Sequence, residues 1–231
     1  SKNVREYILE NYPKVEADRI DLIHRGVDPS EFPRNYQPSN EWLTEWQQDH
    51  PHLQDKELLA LPGRISRWKG HESFIRLIAR LRTDDQVHGL IVGGAERKQQ
   101  RFLEELQQKC RDLGLEDRVT FLGPRSDMRE IMSQCAAIYN LSTHPEPFGR
   151  TMIEALSLGR PVIAWNYGGA AESVGELFPH GLVAVGNEQA LAETTLQLLR
   201  KQLPQPLPNT FVLERMQRQT LNVYAQLLDA D

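Results

Sequence analysis

The sequence of 231 residues contains only two cysteines and no long apolar run. Cys110 and Cys135 fit no zinc-binding spacing, so we expect a reducing, cytoplasmic setting in which both are packing residues. No apolar stretch approaches the roughly 18 residues that a membrane span needs, and the first five residues lack the apolar segment of a signal peptide. The net charge of −5 disfavours general nucleic-acid binding.

Short apolar runs alternate along the chain with longer amphipathic patterns. The runs predict strands at 20–24, 57–61, 87–92, 118–122, 136–141, 161–165 and 182–185. The amphipathic patterns predict helices at 73–81, 96–113, 126–134, 188–202 and 211–228, and further helices before Gly159 and after Gly168. Repeated strand–helix units of this length predict an α/β fold, with a parallel sheet covered by helices on both faces.

The length fits one large domain, and we treat residues 1–231 as a single domain. Residues 33–56 are polar and rich in Pro and Trp, which indicates a possible insertion containing a short helix. Residues 204–209 carry three prolines and predict a stiff connection before the last helix.

Glycine- or proline-containing turns follow five of the predicted strands. They are Gly63, Gly93-Gly94, Gly123, Pro145–Gly149 and Gly168-Gly169. Because the carboxyl ends of parallel strands meet at one edge of a sheet, we expect these turns to form a single ligand site.

Three cations, Arg64, Arg67 and Lys69, follow the predicted strand that ends at Leu61. Gly70 then precedes a helix start, whose free N–H groups favour anions. The segment is typical of a diphosphate clamp, although a solvated basic loop would look similar. No Asp-rich pair or His cluster indicates a bound metal, so these cations would have to supply the positive charge.

Two carboxylates lie eight positions apart, Glu146 in a Pro- and Gly-rich loop and Glu154 inside a helical pattern. They are candidates for a general acid and base. However, we place Glu154 about two turns into its helix, at the far end of an extended ligand from Glu146. Hydroxyl recognition fits that arrangement better than shared proton transfer, and a plain exposed helix residue is the alternative for Glu154.

Three further polar residues near strand ends have ordinary structural explanations. Arg125 follows a strand end and is as compatible with a site as with a surface position. A lone histidine such as His144 is usually structural, and Glu172 suits the start of a helix electrostatically better than it suits a ligand.

These segments together resemble the retaining glycosyltransferases of the GT-B fold, specifically glycosyltransferase family 4 (group 1). The family's Glu-x7-Glu signature reads here as Glu146-Pro147-Phe148-Gly149-Arg150-Thr151-Met152-Ile153-Glu154-Ala155. Four other family segments appear in order as Arg25–Asp28, Gly63–Gly70, Val92–Gly94 and Gly159–Ala164, followed by Gly168-Gly169-Ala170-Ala171-Glu172. The match covers nearly the whole chain.

The resemblance implies a Rossmann-like domain that binds a nucleotide-diphosphate-sugar such as a UDP-, GDP- or ADP-sugar, without a metal or other cofactor. Arg64 and Lys69 would bind the diphosphate, Glu146 with the amides of Phe148 and Gly149 the sugar, and Glu154 the ribose. Other donor contacts are expected at Gly63, Gly94, Pro124, Arg125, Met128, Pro147, Arg150, Thr151 and Gly169.

The resemblance also implies what lies beyond this segment. Only the C-terminal, donor-binding half is matched, so we expect a preceding domain that binds a glycan or lipid-linked acceptor. Envelope polysaccharide or lipopolysaccharide synthesis is the expected role, with peripheral association of the full-length protein with the inner membrane surface.

Two positions depart from the family pattern. Arg150-Thr151 stands where the family usually has two apolar residues, and Arg25 stands where Asn is common. Two other functions remain open: a nucleotide-sugar epimerase or hydrolase of the same fold, and a non-catalytic module that binds a nucleotide-sugar.

Overall fold

The computed structural model of the protein describes residues 1–229. Within this range six strands form one parallel sheet in the order β3-β2-β1-β4-β5-β6. The strands are β1 (Glu57–Pro62), β2 (Val87–Val92), β3 (Val119–Gly123), β4 (Cys135–Asn140), β5 (Val162–Trp165) and β6 (Leu182–Val183). The strand order reverses between β1 and β4, which is where doubly wound sheets open a crevice for ligands.

Helices cover both faces of this sheet, as the sequence predicts. The helices of the described residues are α1 (Lys2–Asn11), α2 (Asn40–Asp49), α3 (His71–Arg80), α4 (Gln100–Asp112), α5 (Met128–Ser133), α6 (Arg150–Ser157), α7 (Gly169–Leu177), α8 (Glu188–Leu199) and α9 (Leu213–Leu228). One apolar cluster packs α3, α4 and α8 on one face, and a second packs α2, α5, α6 and α7 on the other.

Strand β1 shows why the apolar runs are continuous rather than alternating. Leu58 and Ala60 pack into one cluster, while Leu59 and Leu61 pack into the other. Successive side chains point to opposite faces of a strand, and here both faces are covered by helices. Each of these four residues is therefore buried.

The predicted strand at 20–24 is wrong. These residues join no sheet, and the isolated pairing nearest to them in the described chain is the bridge of Val27 with Val212. A strand requires a hydrogen-bonding neighbour as well as an apolar run. The other strands keep their predicted positions to within two residues.

The polar segment 33–56 contains α2 and a short 3-10 turn, Pro51–Leu53. Its Trp46 and Leu53 are buried in the apolar cluster that also holds α6 and α7. That segment 33–56 is an insertion stays a prediction. The single domain over residues 1–231 also stays a prediction, and residues 230 and 231 lie outside the described residues.

The two cysteines lie in the core, as predicted for packing residues. Both are free thiols, and burial raises the pKa of Cys110 to about 11 and that of Cys135 to about 12. Among residues 1–229, no helix combines the length and the apolar character that crossing a membrane requires.

Candidate functional site

Two loops at the carboxyl edge of the sheet, 63–70 after β1 and 141–149 after β4, are joined to each other. The amide of Thr143 donates to the carbonyl of Trp68 at 2.8 Å. The Trp68 ring also stacks on His144, with centroids 5.9 Å apart, so His144 has a packing role. Gly70 has a φ of +81°, and a Cβ there would lie 2.1 Å from the Leu141 carbonyl oxygen. Only glycine permits this contact between the loops.

An ion pair between Lys69 and Glu146 spans the two loops. Lys69 Nζ lies 2.6 Å from Glu146 Oε1, and the two side chains are only 19% and 13% exposed. The same oxygen accepts hydrogen bonds from Asn140 Nδ2 at 3.1 Å and from the Ser142 hydroxyl. Burial opposes ionisation of Glu146, but the bonds from Lys69, Ser142 and Asn140 outweigh it and lower its pKa. Glu146 is therefore ionised at neutral pH.

The start of α7 also contacts the loop 141–149, which carries Glu146. The Gly169 amide donates to the Glu146 carbonyl at 2.7 Å. A Cβ on Gly169 would lie 2.5 Å from Phe148 Cα, so the helix start and the loop backbone are in direct contact. The structure places Gly169 against the loop that carries Glu146, and its contact with a ligand stays a prediction.

Glu154 lies one turn into α6 rather than the two turns predicted, because the helix begins only at Arg150, after Gly149. Its side chain is 14% exposed, which excludes a plain surface role. Its Oε1 lies 2.8 Å from Arg150 Nε. Burial raises the pKa of Glu154, and the charge of Arg150 only partly offsets that effect.

Glu146 and Glu154 have separate partners. Glu146 contacts Lys69 and two neutral donors, whereas Glu154 contacts Arg150. Burial acts on both, yet the pKa of Glu146 is lowered and that of Glu154 is raised. The difference comes from the number of donors that each carboxylate has.

The three cations of the first loop pair with three different carboxylates. Arg64 forms a 2.9 Å pair with Glu96, and its side chain is 73% exposed. Arg67 pairs with Glu105 at 2.7 Å. Lys69 reaches Glu146, while Arg64 lies at the surface. Exposed pairs contribute about 0–1 kcal/mol, so Arg64 can readily exchange Glu96 for another anion.

The ends of β1, β2 and β3 are tied together by backbone contacts. The Gly63 amide donates to the Val92 carbonyl, and the Ile65 amide donates to the Gly94 carbonyl, both at 2.9 Å. The Pro124 ring lies against Gly94. The glycine turns predicted for one edge of the sheet do meet there.

Arg125 binds Asp127, with Nε and NH2 donating to the two carboxylate oxygens at 2.8 and 2.6 Å. Trp42 Nε1 donates to the same carboxylate at 2.8 Å. Asp127 is the N-cap residue of α5, but its side chain makes no capping hydrogen bond, because both of its oxygens are bound to Arg125 and Trp42. Met128 begins α5 and packs against the core.

The remaining predicted residues surround the start of α6. Phe148 is buried against the rings of His24 and Phe211, with centroids 5.6 and 5.5 Å apart. The Pro147 carbonyl accepts a hydrogen bond from the Ser1 hydroxyl. Thr151 is the second residue of α6 and is partly buried.

Sequence reasoning missed two residues of the site, and the structure adds contacts to Glu172, which lies in the first turn of α7 as predicted. Asn140 and Ser142 bind Glu146, and their position at the end of β4 was an available signal. Glu172 does more than suit its own helix. It accepts from the amides of Lys2 and Asn3 at 2.9 Å each and lies 3.0 Å from His24 Nε2, so it fixes the start of α1. Among residues 1–229, no group of three or more His, Cys, Asp or Glu side chains is arranged to hold a metal.

Comparison with known proteins decides the family. Residues 44–213 match the family described as "Glycosyl transferases group 1". The chain belongs to this family. As a group 1 glycosyltransferase domain, it carries the predicted α/β sheet that GT-B glycosyltransferase structures share.

Its relatives include the D-inositol 3-phosphate glycosyltransferase of Mycobacteroides abscessus, 32% identical over 194 residues, which are 83% of this chain and 41% of the relative. The chain thus spans less than half the length of that relative. A glycosyltransferase structure from Rickettsia africae aligns with a TM-score of 0.88 at 26% identity, covering 100% of this chain and 63% of the other. Anabaena Alr3699/HepE in complex with UDP-glucose aligns with a TM-score of 0.76 at 27% identity, covering 100% and 62%.

Proposed function

We propose that this domain binds a nucleotide-diphosphate-sugar and, together with a preceding acceptor domain, transfers the sugar with retention of configuration, as a family 4 enzyme. The observation that carries the proposal is the largely buried Lys69–Glu146 pair at the carboxyl edge of the sheet. It supplies a cation for phosphate and a carboxylate for hydroxyl groups at the position where such sheets bind ligands.

Lys69 is the group that contacts the diphosphate and stabilises the negative charge that develops on it when the sugar leaves. A cation already fixed in a water-poor site is effective for this purpose. Arg64 breaks its exposed pair with Glu96 and then also contacts the diphosphate. No metal or other cofactor is needed in this scheme, because the two side chains supply the positive charge.

Glu146 accepts hydrogen bonds from the donor sugar. Lys69, Asn140 and Ser142 all bind its Oε1, so the other oxygen is the one available to sugar hydroxyls. The amides of Phe148 and Gly149 add donors at the start of α6, where backbone N–H groups lack partners inside the helix.

The nucleoside occupies the rest of the carboxyl edge of the sheet. Glu154 binds the ribose hydroxyls, and the segment of Pro124, Arg125 and Met128 lines the nucleobase. Gly63, Gly94, Pro147, Arg150, Thr151 and Gly169 complete the surroundings of the donor. Support for a nucleotide-sugar comes from the solved relative Alr3699/HepE, whose complex contains UDP-glucose.

The acceptor is a glycan or a lipid-linked glycan, and the role is in envelope polysaccharide or lipopolysaccharide synthesis on the cytoplasmic side of the membrane. Peripheral association of the full-length protein with the inner membrane brings the two substrates together. Anomeric NMR of the product made by the full-length protein tests retention, and an inverted product contradicts it.

Calorimetric titration of this chain with UDP, GDP and ADP tests donor binding directly. We expect one of them to bind, and Lys69→Met to weaken it about 10- to 100-fold, since a hydrogen bond to a charged group contributes about 1.5–3 kcal/mol. Lys98→Met is the matched control, because Lys98 is an exposed lysine of the short 3-10 turn Arg97–Gln99 and belongs to neither loop. Absence of binding to all three nucleotides contradicts the proposal, as does equal weakening by both variants.

A further inference from the structure

Arg150, the first residue of α6, forms an ion pair with Glu154, the proposed ribose carboxylate, one turn further along that helix. Arg150 Nε lies 2.8 Å from Glu154 Oε1, with Arg150 mostly exposed and Glu154 mostly buried.

Glu154 depends on this one contact. Three donors bind Glu146, whereas Arg150 is the cation within ion-pair distance of Glu154 in the described part of the chain. The contact uses Oε1, which leaves Oε2 for an incoming ligand. A carboxylate held at one oxygen and open at the other has the geometry to accept hydroxyl groups.

The charged groups around the pair come from residues 25–31 and from α6. Arg25, Asp28, Glu31 and Arg150 line one open cavity of about 430 Å³, to which the start of α9 contributes Leu213 and Met216. Asp28 is bound to the Ser30 amide and hydroxyl. Burial first, and then the nearby charge of Glu31, raise the pKa of Glu154, while Arg150 lowers it.

We propose that Arg150 is a positioning residue that keeps Glu154 ionised and aims its free oxygen at the ribose of the bound nucleotide. This inference rests on the proposed function, in which Glu154 binds ribose hydroxyls. Without Arg150, burial and Glu31 act unopposed, and Glu154 takes up a proton at a higher pH. Protonated Glu154 keeps one acceptor oxygen fewer for a diol, so ribonucleotide affinity falls.

The sign of the pH effect follows directly. Nucleotide affinity that depends on ionised Glu154 is present above its pKa and is lost as the pH falls through it. For Arg150→Met we expect the pH at which affinity is lost to rise by roughly half to one unit. A larger rise is not expected, because Arg150 is mostly exposed and solvent screens its charge. Arg150→Lys keeps a positive charge beside Glu154, so we expect the loss of affinity to occur closer to the wild-type pH than in Arg150→Met.

The test uses Arg150→Met, Arg150→Lys and Glu154→Gln, with Arg101→Met as the matched control. Arg101 forms an i,i+4 pair with Glu105 at 3.5 Å on α4 and is almost fully exposed. For each variant, calorimetry between pH 5 and 8 measures the Kd of the nucleoside diphosphate that binds best and of its 2′,3′-dideoxy counterpart. Carboxyl-carbon NMR measures the titration midpoint of Glu154 without nucleotide.

We expect Arg150→Met to raise the Glu154 midpoint and to lose its preference for the ribonucleotide at a higher pH than wild type, while Arg101→Met changes neither. An unmoved midpoint, or tighter binding by Arg150→Met at every pH, overturns the positioning role. If Glu154→Gln keeps the full preference for ribose, the proposed ribose contact itself fails. If Glu154→Gln loses that preference and Arg150→Met keeps the wild-type pH profile, only the role of Arg150 fails.

Discussion

Replacing Lys69 with methionine removes the cation beside Glu146 and keeps an unbranched side chain of similar length. Glu146 would then remain a largely buried carboxylate with Asn140 and Ser142 as its side-chain donors. Removing one partner of a buried pair destabilises a protein by about 3–5 kcal/mol. Because two donors and some solvent contact remain, we expect a loss of about 2–3 kcal/mol in the free energy of unfolding at pH 7.

Urea unfolding measured between pH 7 and pH 3 checks both the size and the cause of this loss. The folded-state pKa of Glu146 is lowered, so its stabilising contribution is present above the unfolded value and is lost as the pH falls through the folded one. Lys69 makes the largest of the contributions that lower this pKa. The difference between wild type and Lys69→Met should therefore shrink as the pH falls.

Two results would refute this reasoning. If Lys69→Met is as stable as wild type at pH 7, the ion pair contributes nothing to the free energy of unfolding. The double variant Lys69→Met/Glu146→Gln removes the uncompensated charge and should recover at least half of the loss. If the double variant is no more stable than Lys69→Met, the uncompensated charge of Glu146 is not the cause of the lost stability. Lys98→Met controls for loss of a surface lysine.

Three further variants test the geometry around the site by urea or thermal unfolding. Gly70→Ala should lose about 2–4 kcal/mol, because the Cβ meets the Leu141 carbonyl at a positive φ, and an unchanged stability would contradict that contact. Glu154→Gln should raise the unfolding temperature at pH 7 but not below about pH 4.5, since a raised pKa makes ionisation unfavourable in the fold; a gain at both pH values would contradict this cause. Trp42→Phe should lose about 1–2 kcal/mol with its bond to Asp127, and no loss would mean that this bond is unimportant.

The fold was predictable to the extent that burial leaves a periodic pattern. Strands β1 and β2 are buried at nearly every position because helices cover both faces, and their predicted bounds hold to within one residue. The predicted strand at 20–24 has a similar apolar pattern and is wrong. Sequence shows that a segment can be a strand, but it does not show whether a neighbouring strand lies beside it.

The site was predictable as a set of loops but not as a set of contacts. Gly63, Gly94 and the loop of Glu146 meet at one edge because parallel strands all end there. Which side chains pair was not predictable. Arg64 and Lys69 read alike in the sequence, yet one reaches Glu96 at the surface and the other reaches Glu146.

The sequence alone determined the chain order of the six sheet strands and of the helices between them, the loops at the ligand edge and the family resemblance, because these depend on local periodicity and on residue types at fixed spacing. The tertiary structure alone decided that Lys69 meets Glu146 across 77 positions and that Glu154 depends on Arg150. Charge and hydrogen bonding act over a few ångströms. Their outcome is therefore set by how distant segments pack, and two carboxylates of one motif acquire opposite pKa shifts.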